Sequence, residues 1–131
     1  ALPIYEITLD IAEDIPNIVA DKDGIEQVIL NIVSNAIKYT EDSGKIVIKA
    51  YSIDSEIIIK IKDNGIGIPE KDQARIFERF YRVEKGRSRD MGGTGLGLSI
   101  AKEIVEAHNG QIFLDSSIAT GTEITIKLPL V

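Results

Sequence analysis

Apolar residues recur at helical spacing from Ile25 to about Tyr39. Val28, Ile29, Ile32, Val33, Ala36 and Ile37 fall on one side, which predicts an amphipathic helix. Asp23 is the expected cap, a side-chain oxygen there satisfying free N–H groups of the first turn, and "EDSG" ends the helix. Elsewhere the period shortens to two. Tyr5 to Ile11 reads as a first strand, with Pro16 ending the loop after it. "KIVIKAY" (45–51) and "EIIIKIK" (56–62) alternate, and the loop "SIDS" between them suits a hairpin. "TEITIKLPL" (122–130) predicts the last strand. A short helix is expected near Glu70–Glu78, after Pro69, and a longer one from about Leu96 to His108. Leu96, Ile100, Ala101, Ile104 and Val105 make its buried stripe, and Asn109-Gly110 closes it.

The strands also say which side stays wet. Ile46, Ile48 and Ala50 share one face, as do Ile57, Ile59 and Ile61, and Ile124, Ile126 and Leu128. Lys49, Lys60, Lys62 and Lys127 point the other way. A doubly wound sheet, covered on both faces, would not tolerate those lysines. The fold class expected is therefore α/β (α+β), a two-layer sandwich with all helices on one face of the sheet.

Composition narrows the picture further. The 131 residues fit one domain, and no repeat, low-complexity tract or linker divides them. No cysteine is present, which excludes disulfides and thiolate metal sites and suits an intracellular protein. Fifteen basic residues against twenty-one acidic ones give a net charge of -6, which weighs against nucleic-acid binding. No apolar run is long enough to cross a bilayer, and "ALPIYEITLD" lacks the layout of a signal peptide. The chain is read as soluble, and as a piece that can belong to a larger membrane protein.

Four features carry candidate chemistry. Asn31, Asn35 and Lys38 lie at i, i+4 and i+7, turned away from the apolar face of the first helix. A solvated face is the plain reading, yet asparagine is a poor mid-helix residue. Two neutral amide oxygens suit a hard cation, and the lysine an anion. Asp63, in "DNGIGIP", ends the 56–62 strand. It is either a turn former or a carboxylate acceptor for an exocyclic amine such as adenine's, with Gly65 and Gly67 letting a ligand approach the backbone. "GGTGLGL" stands at the start of the long helix, where free N–H groups favour anions, and it matches neither a Walker A loop nor a dinucleotide fingerprint. Between them, "RFYRVEKGRSR" (79–89) carries Arg79, Arg82, Lys85, Arg87 and Arg89 against the single acid Glu84, either a solvated or partner-binding loop or a flap over a polyanion. Phe77 is expected in the core. His108 is expected to cap the carbonyl end of its helix, and Tyr39 to be a core aromatic or a platform for a base.

Taken in order, these motifs resemble the catalytic, ATP-binding domain of bacterial sensor histidine kinases, within the superfamily that also holds DNA gyrase. "NIVSNAIKYT" looks like the N box, "DNGIGIP" the G1 box, "IFERFYR" the F box and "GGTGLGL" the G2 box, with Gly121-Thr122 similar to a weaker third glycine motif. The resemblance covers essentially the whole chain. It implies a Bergerat-type sandwich built on a mixed sheet, spanning 1–131 as one domain, with an ATP lid at about 68–94. It also implies that Asp63 binds the adenine amine, that Asn35 coordinates Mg²⁺ with Asn31 assisting, and that Lys38 and Arg82 approach the phosphates. Tyr39, Gly65, Gly67, Ile68, Gly93, Thr94, Gly95, Leu96, Gly97, Leu98 and Thr122 would complete the nucleotide site. Where ATP-hydrolysing relatives carry a glutamate as general base, this chain has Asn31, which cannot take that proton; the N-x-x-x-N form is similar to the kinase branch.

Two departures stand out. Asn109 occupies a position where the family has glycine, and "ATGT" lacks the glycine-rich lead-in to the third motif. The histidine that accepts the phosphoryl group lies, in this family, in a separate dimerisation domain. The chain is therefore expected to bind Mg²⁺ and ATP without autophosphorylating alone. Its expected partners are that histidine-bearing domain and a response regulator, with no nucleic acid and no direct membrane contact. The isolated domain is expected to be a monomer and the cytoplasmic part of a membrane-bound sensor kinase. An anti-sigma-factor-type serine kinase and a non-catalytic nucleotide-binding module are the alternatives.

Overall fold

The computed structural model describes residues 6–40, 44–79, 81, 97–118 and 120–130. Its elements run β1 (Glu6–Ile11), α1 (Lys22–Lys38), β2 (Lys45–Ile53), β3 (Glu56–Asp63), α2 (Glu70–Gln73), α3 (Gly97–Ala107), β4 (Gln111–Ser117) and β5 (Gly121–Pro129). The five strands form one mixed sheet in the order β1-β2-β3-β5-β4, with β1 parallel to β2 and the other pairs antiparallel.

The alternation seen in the sequence builds the two layers. Ile46, Ile57, Ile59, Ile61, Ile124, Ile126 and Leu128 pack beneath Val28, Ile32 and Ala36 of α1 and Ala101 and Val105 of α3 in a single core. Fully burying one such aliphatic side chain contributes about 1.5–3 kcal/mol. The opposite face carries Lys49 and Lys62 in solvent, a Lys60–Glu123 pair at 4.0 Å, and Lys127 over the Phe113 ring. Ile58 is buried even on that face; flanked in register by Tyr51 and Lys127, it is 7% exposed. At the other edge Ile7, Leu9 and Ile11 align with Ile46, Ile48 and Ala50, yet each remains about half exposed or more.

Several local expectations are corrected. Asp21, not Asp23, stands at the start of α1; its side chain makes no capping bond, while Asp23 lies in the first turn, where a negative charge suits the helix dipole. β2 extends to Ile53, so the hairpin turn shrinks from "SIDS" to Asp54 and Ser55, with Asp54 in the left-handed region at φ 56°. The helix expected over Glu70–Glu78 closes after Gln73, and Arg75 N–H to Asp72 O and Glu78 N–H to Arg75 O continue it only as turns. β4 was not expected at all. Its inward residues Ile112 and Leu114 alternate correctly, but Phe113 on the open face hides the pattern. Asn109 adopts φ 61°, and Gly110 N–H bonds Val105 O, the left-handed stop the sequence calls for.

Candidate functional site

At one end of the sheet the covered face turns polar. Asp63, Thr122 and Ser116 stand side by side across β3, β5 and β4, one step beyond the apolar row of Ile48, Ile61, Ile124 and Leu114. Asp63 is 5% exposed and Thr122 8%. The N–H groups of Gly65, at 2.8 Å, and Thr122, at 3.3 Å, both donate to Asp63 Oδ1. Oδ2 is left without a hydrogen-bond partner among the described residues. Burial pushes the Asp63 carboxyl up from its ordinary value, and the two N–H groups only partly offset this. A buried carboxylate with one oxygen anchored and the other open is an acceptor waiting for a donor.

The loop after Asp63 is packed by backbone. A Cβ on Gly65 would lie 2.2 Å from the Tyr39 carbonyl, which accepts the Ile66 N–H at 3.1 Å. Gly67 has φ 77°, and a Cβ there would lie 2.1 Å from the Ser117 carbonyl. Both glycines thus serve the fold itself, docking the loop between the end of α1 and the end of β4. Ile68 is buried with Ile76, and Phe77, Leu98 and Leu114 pack against them, so Phe77 sits partly buried in a small second cluster.

α1 brings the other predicted residues to the same region. Asn31, Asn35, Lys38 and Tyr39 are half-buried, beside the buried stripe of Val28, Ile32 and Ala36. Asn31 Nδ2 donates to the Gly97 carbonyl at 3.1 Å, joining α1 to the first residue of α3. The Asn35 amide makes no hydrogen bond among the described residues. Thr40, just beyond, is fully buried and donates to Ala36 O at 2.6 Å. The expected asparagine stripe and aspartate are therefore joined through α1, its carboxyl end and the Gly65 loop. Arg82, Gly93, Thr94, Gly95 and Leu96, with most of the basic segment, lie outside the described residues.

The start of that segment is tied down. Arg79 pairs with Glu103 at 3.2 Å on the surface of α3, and Tyr81 donates to the buried Asp72 while Arg75 covers its ring. His108 plays a structural part beyond capping its own helix. Nδ1 lies 2.8 Å from Ile104 O, which makes it the donor, so Nε2 accepts the Asp21 N–H at 2.9 Å. The imidazole thereby joins the end of α3 to the start of α1. Sequence reasoning missed Ser116, because it missed β4, and Gln73, whose type carries no signal by itself.

Among the described residues no three His, Cys, Asp or Glu side chains gather as a metal cluster. The partly exposed amides of Asn31 and Asn35 one turn apart instead offer neutral oxygens, hard donors of the kind that Mg²⁺ takes alongside phosphate and water.

Comparison with known proteins identifies the family. The family model described as histidine kinase-, DNA gyrase B- and HSP90-like ATPase matches residues 20–131. The chain is 52% identical to the sensor histidine kinase WalK of Bacillus subtilis over 83% of its own length and 18% of that relative's. Mycobacterial sensor histidine kinase MprB superimposes with a TM-score of 0.84 at 34% identity, over 95% of this chain and 83% of that one. Full-length ShkA in complex with AMPPNP gives 0.84 at 29%, over 97% and 26%. The chain thus spans less than a fifth of the length of that WalK. It belongs to the family of histidine kinase-, DNA gyrase B- and HSP90-like ATPases, and the relatives it resembles within that family are sensor histidine kinases.

Proposed function

We propose that this chain is the ATP-binding half of a sensor histidine kinase and positions Mg-ATP for transfer of the γ-phosphoryl group to a histidine on a separate dimerisation domain. The observation that carries this reading is Asp63, a buried carboxylate with one oxygen fixed and one open, joined through the Gly65 loop and the end of α1 to a partly exposed asparagine stripe, in a fold shared with sensor kinases. Asp63 Oδ2 accepts the adenine 6-amino group, and guanine, with a carbonyl there, is refused. Asn35, with Asn31, supplies amide oxygens to Mg²⁺. Lys38 and Arg82 approach the phosphates, and Tyr39 packs near the base. Gly65, Gly67, Ile68, Thr122 and the Gly93–Leu98 stretch border the nucleotide. The lid occupies about 68–94 of a single 1–131 domain.

Bound Mg²⁺ would neutralise charge on the phosphates, while the chain's own residues orient them. Asn31 stands where a water-activating base would be needed and cannot act as one, so transfer to an incoming histidine is favoured over hydrolysis. The acting partners are the histidine-bearing domain and, through the whole protein, a response regulator. The chain then belongs to the cytoplasmic part of a membrane-bound sensor, and no helix of the described residues is long and apolar enough to cross a membrane.

Calorimetric titration with ATP and GTP, with and without Mg²⁺, tests the binding half. Magnesium-strengthened binding of ATP and little of GTP is expected. Equal affinity for both nucleotides would remove the role given to Asp63. Adding the histidine-bearing domain of such a kinase should then yield phosphohistidine from ATP, and a mixture that only hydrolyses ATP would sink the transfer reading.

A further inference from the structure

Ser116 is the end of the polar row, and every hydrogen bond around it has a direction that can be worked out. Its hydroxyl oxygen receives the Ile68 N–H at 2.8 Å, lies 3.1 Å from the Gly121 carbonyl, and lies 2.7 Å from the Thr122 hydroxyl. A carbonyl can only accept, so the one Ser116 proton goes to Gly121. The Thr122 hydroxyl must then spend its own proton on Ser116. What Thr122 Oγ1 has left is lone pairs. Its neighbour in register, Asp63, also offers only lone pairs. The row therefore presents acceptors alone, an arrangement that suits a group with N–H donors and repels a carbonyl.

The placement of Ser116 is itself enforced. Gln73 Nε2 donates both to the Ser116 carbonyl, at 3.0 Å, and to the Ile68 carbonyl, at 2.8 Å. Ser116 is thus held at its hydroxyl and at its carbonyl by the segment that begins at Ile68. Without the Ser116 hydroxyl, the Thr122 proton loses its acceptor. The adjacent Asp63 carboxylate is the strongest acceptor nearby, and a hydroxyl turned onto it would compete with the ligand's amine.

We propose that Ser116 is a specificity-determining positioning residue: by taking the Thr122 proton it keeps Asp63 open for an amine and so sets the preference for a 6-aminopurine nucleotide. This rests on the reading of Asp63 as the base-binding acceptor. Ser116 touches no ligand in this scheme, and its effect is transmitted through Thr122. The clamp from Gln73 holds it in register while the nucleotide comes and goes.

The experiment compares ATP with purine riboside triphosphate, which lacks the 6-amino group, by competitive titration against a fluorescent nucleotide. Wild type is expected to favour ATP by about tenfold or more, the worth of a hydrogen bond to a charged acceptor. Ser116→Ala should cut that preference by about fivefold, chiefly by weakening ATP. Ser116→Thr, which keeps the hydroxyl, should restore it. If the alanine variant does not fold, Ser116→Cys, of similar shape and a weaker hydrogen-bonding group, takes its place with the same expectation. A brace with no electronic role would lower the melting temperature and both affinities together. An unchanged preference in the variant would therefore overturn the proposal while leaving Asp63 in its role. No preference in wild type would overturn the Asp63 reading and this one with it.

Discussion

The two polar patches of this site are built on opposite terms. On the sheet, Asp63, Thr122 and Ser116 are wired to backbone and to one another, with Asp63 and Thr122 almost fully buried. On α1, Asn31 and Asn35 are partly exposed, and the only side-chain hydrogen bond the two make among the described residues is Asn31 to Gly97. Burying polar groups costs free energy unless each is paired, so the sheet row must be completed by the fold itself. A half-exposed amide is kept by water until a ligand replaces it. On the roles proposed above, base recognition would be part of the structure's stability, whereas metal and phosphate binding would be laid on its surface. Substitutions in the first patch should move both folding and binding, and a substitution of Asn35 in the second should move binding alone.

Gly67→Ala should produce the largest effect. The left-handed φ and the Ser117 carbonyl leave no place for a Cβ, so the loop that carries the Asp63 anchor must shift. Chemical denaturation should show a loss of about 2–4 kcal/mol, with ATP affinity falling in parallel. A stable variant with normal affinity would show that the loop is not coupled to the row. Asp63→Asn sharpens the contrast differently. With its pKa raised, folded Asp63 keeps a proton that the unfolded chain has already released. Its contribution to stability therefore declines as pH rises from the ordinary carboxylate range through the raised value. Above that range the ionised, buried group is a standing cost. The asparagine variant, which keeps an acceptor for the Gly65 and Thr122 N–H groups, should melt higher at neutral pH and lose that slope. It should also lose about 10- to 100-fold in ATP affinity, since the ligand amine then faces an amide N–H. In wild type, ATP affinity should fall as pH is lowered through the same range. A variant that melts lower at neutral pH would show that the charge stabilises the apo fold.

The helix stripe and the carboxylate were legible because their residue types break the local rule: asparagines where a helix wants Lys or Glu, and an aspartate at the end of an isoleucine strand. The two-layer arrangement was legible from lysines recurring on one face. Ser116 was not, since a serine in "QIFLDSS" says nothing until the register sets it beside Thr122. For Gly65 and Gly67 the structure supplies a reason that the sequence does not. Sequence suggests room for a ligand, and the structure adds that the Tyr39 and Ser117 carbonyls occupy the space a side chain would need. Pairing across strands is information a single chain reading does not contain. Asp21 displaced Asp23 at the helix start for a similar reason, because its N–H is claimed by His108, 87 positions away.

Asn35→Ala is the smaller test and the one that bears on the second patch alone. The side chain has no partner to lose among the described residues, and alanine is the better helix former, so stability should stay within about 0.5 kcal/mol of wild type or rise slightly. If the amide oxygen meets Mg²⁺ as proposed, ATP titrated in EDTA should bind both proteins alike. With Mg²⁺, wild type should bind about tenfold more tightly than the variant, roughly the 1.4 kcal/mol that one ligand to a hydrated ion can supply. A deficit that persists in EDTA would move Asn35 from the metal to the nucleotide. A large drop in melting temperature would mean that the stripe, like the row, is part of the fold, and the distinction between the two patches would collapse.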